Sequence, residues 1–359
     1  MKICFLALAG NYHTIKWCDY FYNKGWEVHV ISFINVKMNN VILHYIPTGA
    51  STENSDVSKL KYLLSARKIN KIINTIKPDI ISVHYASSYG TVAALAGIKN
   101  YYLSVWGSDI YEFPNKSFLH KWLLKFSLGR APYLLSTSKA MAIEAQKYTD
   151  REFTITPFGV DMELFTYKKR TRNDNKYIIG TVKALTSKYG IDYLLKATAI
   201  VRNNRPDIPL EVRIAGKGKD EVSYKEQSIR LGISDIVYWL GFLDQSQVAY
   251  EWANMDVAIV YSSVQESFGV SAIEAQACGC PVIISDVQGL MEATSPGNSS
   301  IVVKKQREEE LAKTIIDLYD NKIKRKLMGV AGRKFVVEKY EIKNCFKSIE
   351  NLFLKTRKE

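Results

Sequence analysis

The 359-residue chain is 47% hydrophobic and 24% charged and carries a formal net charge of +13. This is the make-up of a soluble globular protein long enough for two domains, and no apolar run approaches the roughly 20 residues that a bilayer crossing needs. Five cysteines, Cys4, Cys18, Cys278, Cys280 and Cys345, are odd in number and lack CxxC or Cys/His spacing, so no zinc module is expected and the compartment reads as reducing.

In chain order, apolar runs of strand length alternate with helix-like segments from end to end, which reads as α/β with parallel sheets covered on both faces. MKICFLALAG opens the chain; Ala7-Leu8-Ala9 mimics a signal-peptidase site, but Lys2 is its sole early charge, so it reads as the first strand. Further strands are expected at 27–33, 42–47, 79–85, 101–107, 133–138 and 153–158, then at 177–182, 210–216, 236–241, 257–262, 281–286 and 300–304. The polar segment 166–176 reads as a linker. Helices close the chain over about 308–335 and 342–354, with Tyr340 and Glu341 as the break. The division is therefore 1–168 and 169–339, with a last helix at about 340–359 crossing back onto the first domain.

Two segments concentrate the positive charge. From Ser58 to Pro78, Lys59, Lys61, Arg67, Lys68, Lys71 and Lys77 interleave with leucines and isoleucines and no acid, and FLHKWLLKFSLGR (118–130) sets Phe118, Trp122 and Phe126 among Lys121, Lys125 and Arg130. Both read as basic amphipathic helices, which lie either on an anionic membrane or on the sheet with their lysines in water. No nucleic-acid-binding module accompanies the charge.

The most informative stretch is QESFGVSAIEAQACGCPVI (265–283), flanked by runs that read as consecutive buried strands. It is a loop turning into a helix at the carboxyl end of a parallel strand, where open α/β sheets bind ligands. Backbone amides of Phe268, Gly269 and Val270 at the helix start suit a diphosphate, and Glu266 and Glu274 can take hydroxyl hydrogen bonds on either side of it. An ordinary amphipathic helix packed through its alanines is the bland alternative. Lys183 and Lys188 follow the strand YIIGTV, where two cations could neutralise a diphosphate, and Gly216 and Gly218 mark another strand-to-helix turn.

The ordered set KPDIISVHY, VWGSDI, LLSTSKA, TPFGVDMELF, GTVKALTSKYG, IAGKG and ESFGVSAIEA, with its E-x7-E spacing, resembles the retaining glycosyltransferases of family 4 over nearly the whole chain. The resemblance implies the GT-B fold: two facing Rossmann-like domains, acceptor mainly on the first and nucleotide-sugar mainly on the second. By matched position it implies that Lys183 and Lys188 hold the donor diphosphate, Glu266 touches donor-sugar hydroxyls, Glu274 binds ribose, and Phe268, Gly269 and Val270 offer amides. Gly216 and Gly10 join the donor set, although AGNYH has one glycine where members often have a pair. Trp106 stands where many members have histidine, and Lys183 where arginine is usual. His13, His84, Trp106 and Asp109 are the acceptor or cleft candidates.

The resemblance also implies retention without metal or cofactor, because cations and helix amides carry the charge of the departing diphosphate. A hexose-type sugar would pass to a surface glycan or lipid-linked acceptor, of lipopolysaccharide, O-antigen or capsule type, at the cytoplasmic membrane face, with peripheral contact to anionic membrane and no nucleic-acid partner. The rivals are a sugar-nucleotide epimerase of the same fold and an inactive partner-binding subunit. A nicotinamide dehydrogenase is disfavoured because no GxGxxG follows the first strand.

Overall fold

The computed structural model of the chain describes residues 1–48, 60–167 and 175–356. Ser58 and Lys59, and residues 168–174 of the polar segment, lie outside the described residues. The chain divides into two compact units, Met1–Phe158 with Cys345–Glu359, and Gly159–Asn344.

The first unit holds a seven-stranded parallel sheet of β1 (Lys2–Leu6), β2 (Glu27–Ser32), β3 (Ile42–Tyr45), β4 (Ile80–His84), β5 (Tyr102–Val105), β6 (Tyr133–Ser136) and β7 (Thr154–Ile155). Its order is β3-β2-β1-β4-β5-β6-β7. Every residue of β4 and β5 is buried, as expected of parallel strands sandwiched between helices. Helix α1 (Tyr12–Asn23) begins at Asn11, whose side chain accepts the His13 amide at 2.9 Å, and buries Trp17, Cys18 and Phe21.

Both basic segments are helical. In α2 (Ala66–Ile76), Ile69, Ile73 and Ile76 fall on one face and enter the core while Arg67, Lys68 and Lys71 face water. Lys77 ends it in the left-handed region at φ 50°. In α3 (Phe118–Arg130), Leu123, Leu124 and Leu128 are buried, yet Phe118, Leu119 and Trp122 stay 85%, 49% and 51% exposed.

The second unit carries a six-stranded parallel sheet of β8 (Tyr177–Val182), β9 (Leu210–Ala215), β10 (Val237–Gly241), β11 (Val257–Val260), β12 (Val282–Ser285) and β13 (Ser300–Val303), in the order β10-β9-β8-β11-β12-β13. Thus all the segments read as strands are strands. The order reverses between β1 and β4 in one unit and between β8 and β11 in the other, which opens a crevice at the strands' carboxyl ends. Around the second sheet lie α4 (Ile191–Asn204), α5 (Val270–Ala277), α6 (Gln288–Glu292), α7 (Glu308–Asp320) and α8 (Lys322–Tyr340).

One expectation is corrected: the single helix read over 308–335 is two, α7 and α8, broken at Asn321. The Asn321 side chain accepts the Lys324 amide at 2.8 Å, so the residue starts a new helix instead of continuing the old one. After Glu341, α9 (Ile342–Thr356) packs on α1. Phe346 stacks on Tyr20 at 5.0 Å, Phe353 lies 5.8 Å from Phe21, and the Tyr20 hydroxyl donates to Glu350 at 2.7 Å. All five cysteines are buried and none forms a disulfide.

Candidate functional site

In the second unit three loops meet at the carboxyl ends of β8, β9 and β11. The loop after β8 lies on the loop after β9 through the Lys183 amide donating to the Ala215 carbonyl at 3.0 Å, Leu185 N–H to the Lys217 carbonyl at 3.1 Å, and Ser187 N–H to Asp220 Oδ2 at 2.8 Å. On its other side the Lys188 carbonyl accepts the Ser263 amide at 2.8 Å and the Ser262 hydroxyl at 3.3 Å. Gly216, at φ +133°, allows the first of these contacts, for a Cβ there would stand 1.9 Å from the Lys183 carbonyl oxygen. The close approach at Gly216 is therefore made by the loop carrying Lys183.

These links bring Lys183 to Glu266. The Lys183 ammonium lies 3.1 Å from Glu266 Oε2, with the side chains 9% and 14% exposed, and 4.6 Å from the centre of the Tyr189 ring. Glu266 sits in the loop between β11 and α5. That loop ends at Gly269, in the left-handed region at φ 73°, which supplies no side-chain cap to α5. The leading turn of α5, starting with Val270, thus faces the loop with its dipole's positive end. Phe268 is 1% exposed and meets Tyr340 edge-on at 5.3 Å, while Ser271 anchors the helix start by donating to the Val182 carbonyl at 3.0 Å. Glu274, in the second turn of α5, is 6% exposed. Lys188 is half-buried in the turn Ser187–Tyr189.

The remaining candidates belong to the first unit, at the carboxyl ends of β1, β4 and β5. Gly10 turns the chain after β1 at φ 77°. His13 stacks on Phe158 at 3.8 Å and meets Trp106 edge-on at 5.9 Å; burial, then Lys16, lowers its pKa to about 3, so the ring is neutral near pH 7. His84 is fully buried 4.4 Å from Trp106, and burial, then His13, lowers its pKa to about 3 as well. Its Nε2 is 3.3 Å from Ser82 Oγ, while Nδ1 has no partner among the described residues. The Trp106 indole donates to Ser104 Oγ at 3.0 Å.

Asp109 is fully buried, and its carboxylate accepts the amides of Ala86, Trp106 and Gly107 at 2.9, 3.1 and 2.8 Å. Burial pushes its pKa up against these three bonds. Asp109 thus shapes backbone, pinning the end of β5 to the turn after β4.

Sequence reasoning did not single out Tyr189, Ser271, Phe158 or Gly289. Each acts through a partner distant in sequence, and no local spacing marks them.

The family described as glycosyl transferases group 1 matches residues 165–335, and that described as glycosyl transferase 4-like matches residues 2–138. An uncharacterized glycosyltransferase of Methanocaldococcus jannaschii is 26% identical over 340 residues, covering 92% of this chain and 90% of that one. Relatives of 31 to 33% identity match this chain over about half of their own length, 45% and 51% in two cases. Among solved structures, Anabaena HepE in complex with UDP and glucose superposes with a TM-score of 0.80 at 16% identity, covering 99% of this chain and 100% of that one. WaaG, a glycosyltransferase involved in lipopolysaccharide biosynthesis, superposes with a TM-score of 0.76 at 14% identity, covering 98% and 99%. The fold is GT-B, and the chain belongs to the glycosyltransferases, 4-like in its first half and group 1 in its second.

Proposed function

We propose that the protein transfers a hexose-type sugar, with retention of anomeric configuration, from a nucleoside-diphosphate donor to a surface-glycan or lipid-linked acceptor. The observation that carries this reading is the Lys183–Glu266 pair, held beside the uncapped start of α5 at the reversal point of the second sheet. HepE, with the same fold, is solved with UDP and with UDP-glucose, which supports a nucleotide-sugar donor.

In the proposed reaction the bond from the anomeric carbon to the β-phosphate oxygen breaks while the acceptor oxygen bonds to that carbon on the same face. The acceptor proton passes to the departing diphosphate. Lys183, Lys188 and the first amides of α5 receive the charge that grows on the leaving group, so no metal is required. An incoming diphosphate competes with Glu266 for Lys183, and the carboxylate it frees turns to the donor-sugar hydroxyls. Glu274 takes the ribose. Acceptor binding falls to the first unit, where His13 offers a neutral imidazole fixed by Phe158 and Trp106.

Contact with an anionic membrane surface completes the proposal, supported by Phe118, Leu119 and Trp122 exposed among Lys121, Lys125 and Arg130. Among the described residues no helix is long and apolar enough to cross a membrane. WaaG, of the same fold, supports a surface-glycan acceptor.

The test is a thermal-shift screen of nucleotide-sugars, followed by product analysis with and without glycan acceptors. A ligand that binds the folded state raises its melting temperature. A sugar product formed from donor alone would make the protein an epimerase instead.

A further inference from the structure

The donor corner is built against α6, a five-residue helix that plays no part in the reaction just described. A Cβ on Gly289 would stand 1.9 Å from the Glu266 carbonyl oxygen, 2.8 Å from its carbon and 3.2 Å from that of Ser267. The atoms it would meet are backbone, so no side chain can swing aside to make room. Two residues further on, Gly269 meets the same helix: a Cβ there would lie 2.8 Å from Leu290 Cδ2 and 3.2 Å from the Ala293 Cβ. The segment Glu266–Gly269 thus rests on α6 at both ends.

The support cannot retreat. Gln276, fully buried on α5, donates to the Ala293 carbonyl at 2.9 Å and accepts the Ser299 hydroxyl at 2.6 Å. The Tyr340 hydroxyl donates to the Glu292 carbonyl at 2.9 Å, and Leu290 is fully buried. With α6 held from behind, an atom added at residue 289 displaces the Glu266 backbone, and with it the carboxylate that meets Lys183.

We infer that Gly289 is a positioning residue for sugar transfer: the bare Cα of residue 289 fixes where the Glu266 carboxylate stands relative to Lys183. This rests on the donor-site reading above. It goes further in assigning control of the sugar-orienting acid to a residue that touches no substrate. Gly289 lies in a helix with no positive φ, so alanine suits its backbone and by propensity favours the helix. The substitution therefore isolates the added methyl group.

The experiment is a double-mutant cycle of Gly289→Ala with Glu266→Ala, read as kcat and donor KM, alongside melting temperature and affinity for the nucleoside diphosphate of whichever donor is turned over. Gly289→Ala is expected to lower kcat about ten- to a hundredfold, since misplacing a reacting group by an ångström costs on that order. Affinity for the sugarless diphosphate should not fall, because Lys183, Lys188 and the α5 amides remain and Glu266, the competitor for Lys183, is the group displaced. In the Glu266→Ala background the same methyl should cost almost nothing.

An equal loss in both backgrounds, or loss of diphosphate affinity and melting temperature together with rate, overturns the inference. If Glu266→Ala itself turns over at the wild-type rate, the donor-site reading fails instead. Should Gly289→Ala not fold, Leu290→Ala loosens the support under Gly269 without adding an atom. It should show the same kcat loss, again absent when Glu266 is alanine.

Discussion

The ammonium of Lys183 and the carboxylate of Glu266 meet at 3.1 Å although 83 residues of chain separate them. The pair is largely withdrawn from water, so its partners are unequal to solitary lysine and glutamate on a surface. Removing one leaves the other poorly solvated, and a ligand that replaces one partner must match its charge. An anionic diphosphate matches the charge that Glu266 presents to Lys183, and sugar hydroxyls can donate hydrogen bonds to the freed carboxylate.

Glu266→Ala and Lys183→Ala should each lower kcat about a hundredfold, the order found when one stabiliser of developing charge is removed. Lys183→Ala should also lower stability by about 1–3 kcal/mol, because the Glu266 carboxylate is left without its cation. The double substitution should recover part of that stability and none of the rate. Steady-state kinetics with thermal denaturation checks both. Wild-type turnover in either single variant would refute the assignment.

Lys188→Ala should lower kcat by more than it raises donor KM, because Lys188 is assigned to charge that grows on the departing diphosphate; a rise in KM with kcat unchanged would contradict that role. The rate should survive exhaustive dialysis against EDTA, since charge neutralisation is assigned to protein groups. A rate restored by added divalent cation after dialysis would count against that assignment.

Acid should destabilise the first unit through His13 and His84. Both have pKa values lowered to about 3, against an ordinary value near 6.5, so between these pH values the unfolded chain binds protons that the folded one refuses. Stability is therefore expected to fall as pH drops through that window, with a limiting slope of about 1.4 kcal/mol per pH unit for each histidine. His84→Phe removes one titration and an Nδ1 without a partner among the described residues. Its denaturation midpoint should fall less steeply between pH 6.5 and pH 5 than that of the wild type; parallel curves would contradict the prediction.

The exposed face of α3 should bind vesicles containing anionic lipid at low salt. Trp122→Ala, and Lys121→Glu with Lys125→Glu, should each weaken sedimentation with vesicles while leaving turnover of a soluble acceptor intact. The charge variant should lose binding most at low ionic strength, where screening is least. Binding unchanged in both variants would remove the membrane contact from the account.

The strands were legible because parallel strands buried on both faces are written as near-continuous apolar runs, as in VAIV and VIIS. The corner at Gly269 was legible because loop, glycine and helix are consecutive. Other features needed three dimensions. Nothing in the residues around Asn321 distinguishes a mid-helix asparagine from a cap until the chain turns there. The grouping of His13 with Phe158, and of Gly289 with Glu266, depends on which loops the sheet order brings together, and one sequence does not record that. The basic helices held both readings at once: α2 spends its isoleucines on the core, whereas α3 keeps Phe118 and Trp122 outside.

The most direct test is calorimetric titration of a panel of nucleoside-diphosphate sugars into the wild-type protein and into Lys183→Ala. At least one sugar nucleotide is expected to bind the wild type with micromolar affinity, and the variant to bind it about ten- to a hundredfold more weakly, as for loss of one charge-assisted contact. Binding of equal strength to both proteins, or no binding to the wild type by any member of the panel, would contradict the account.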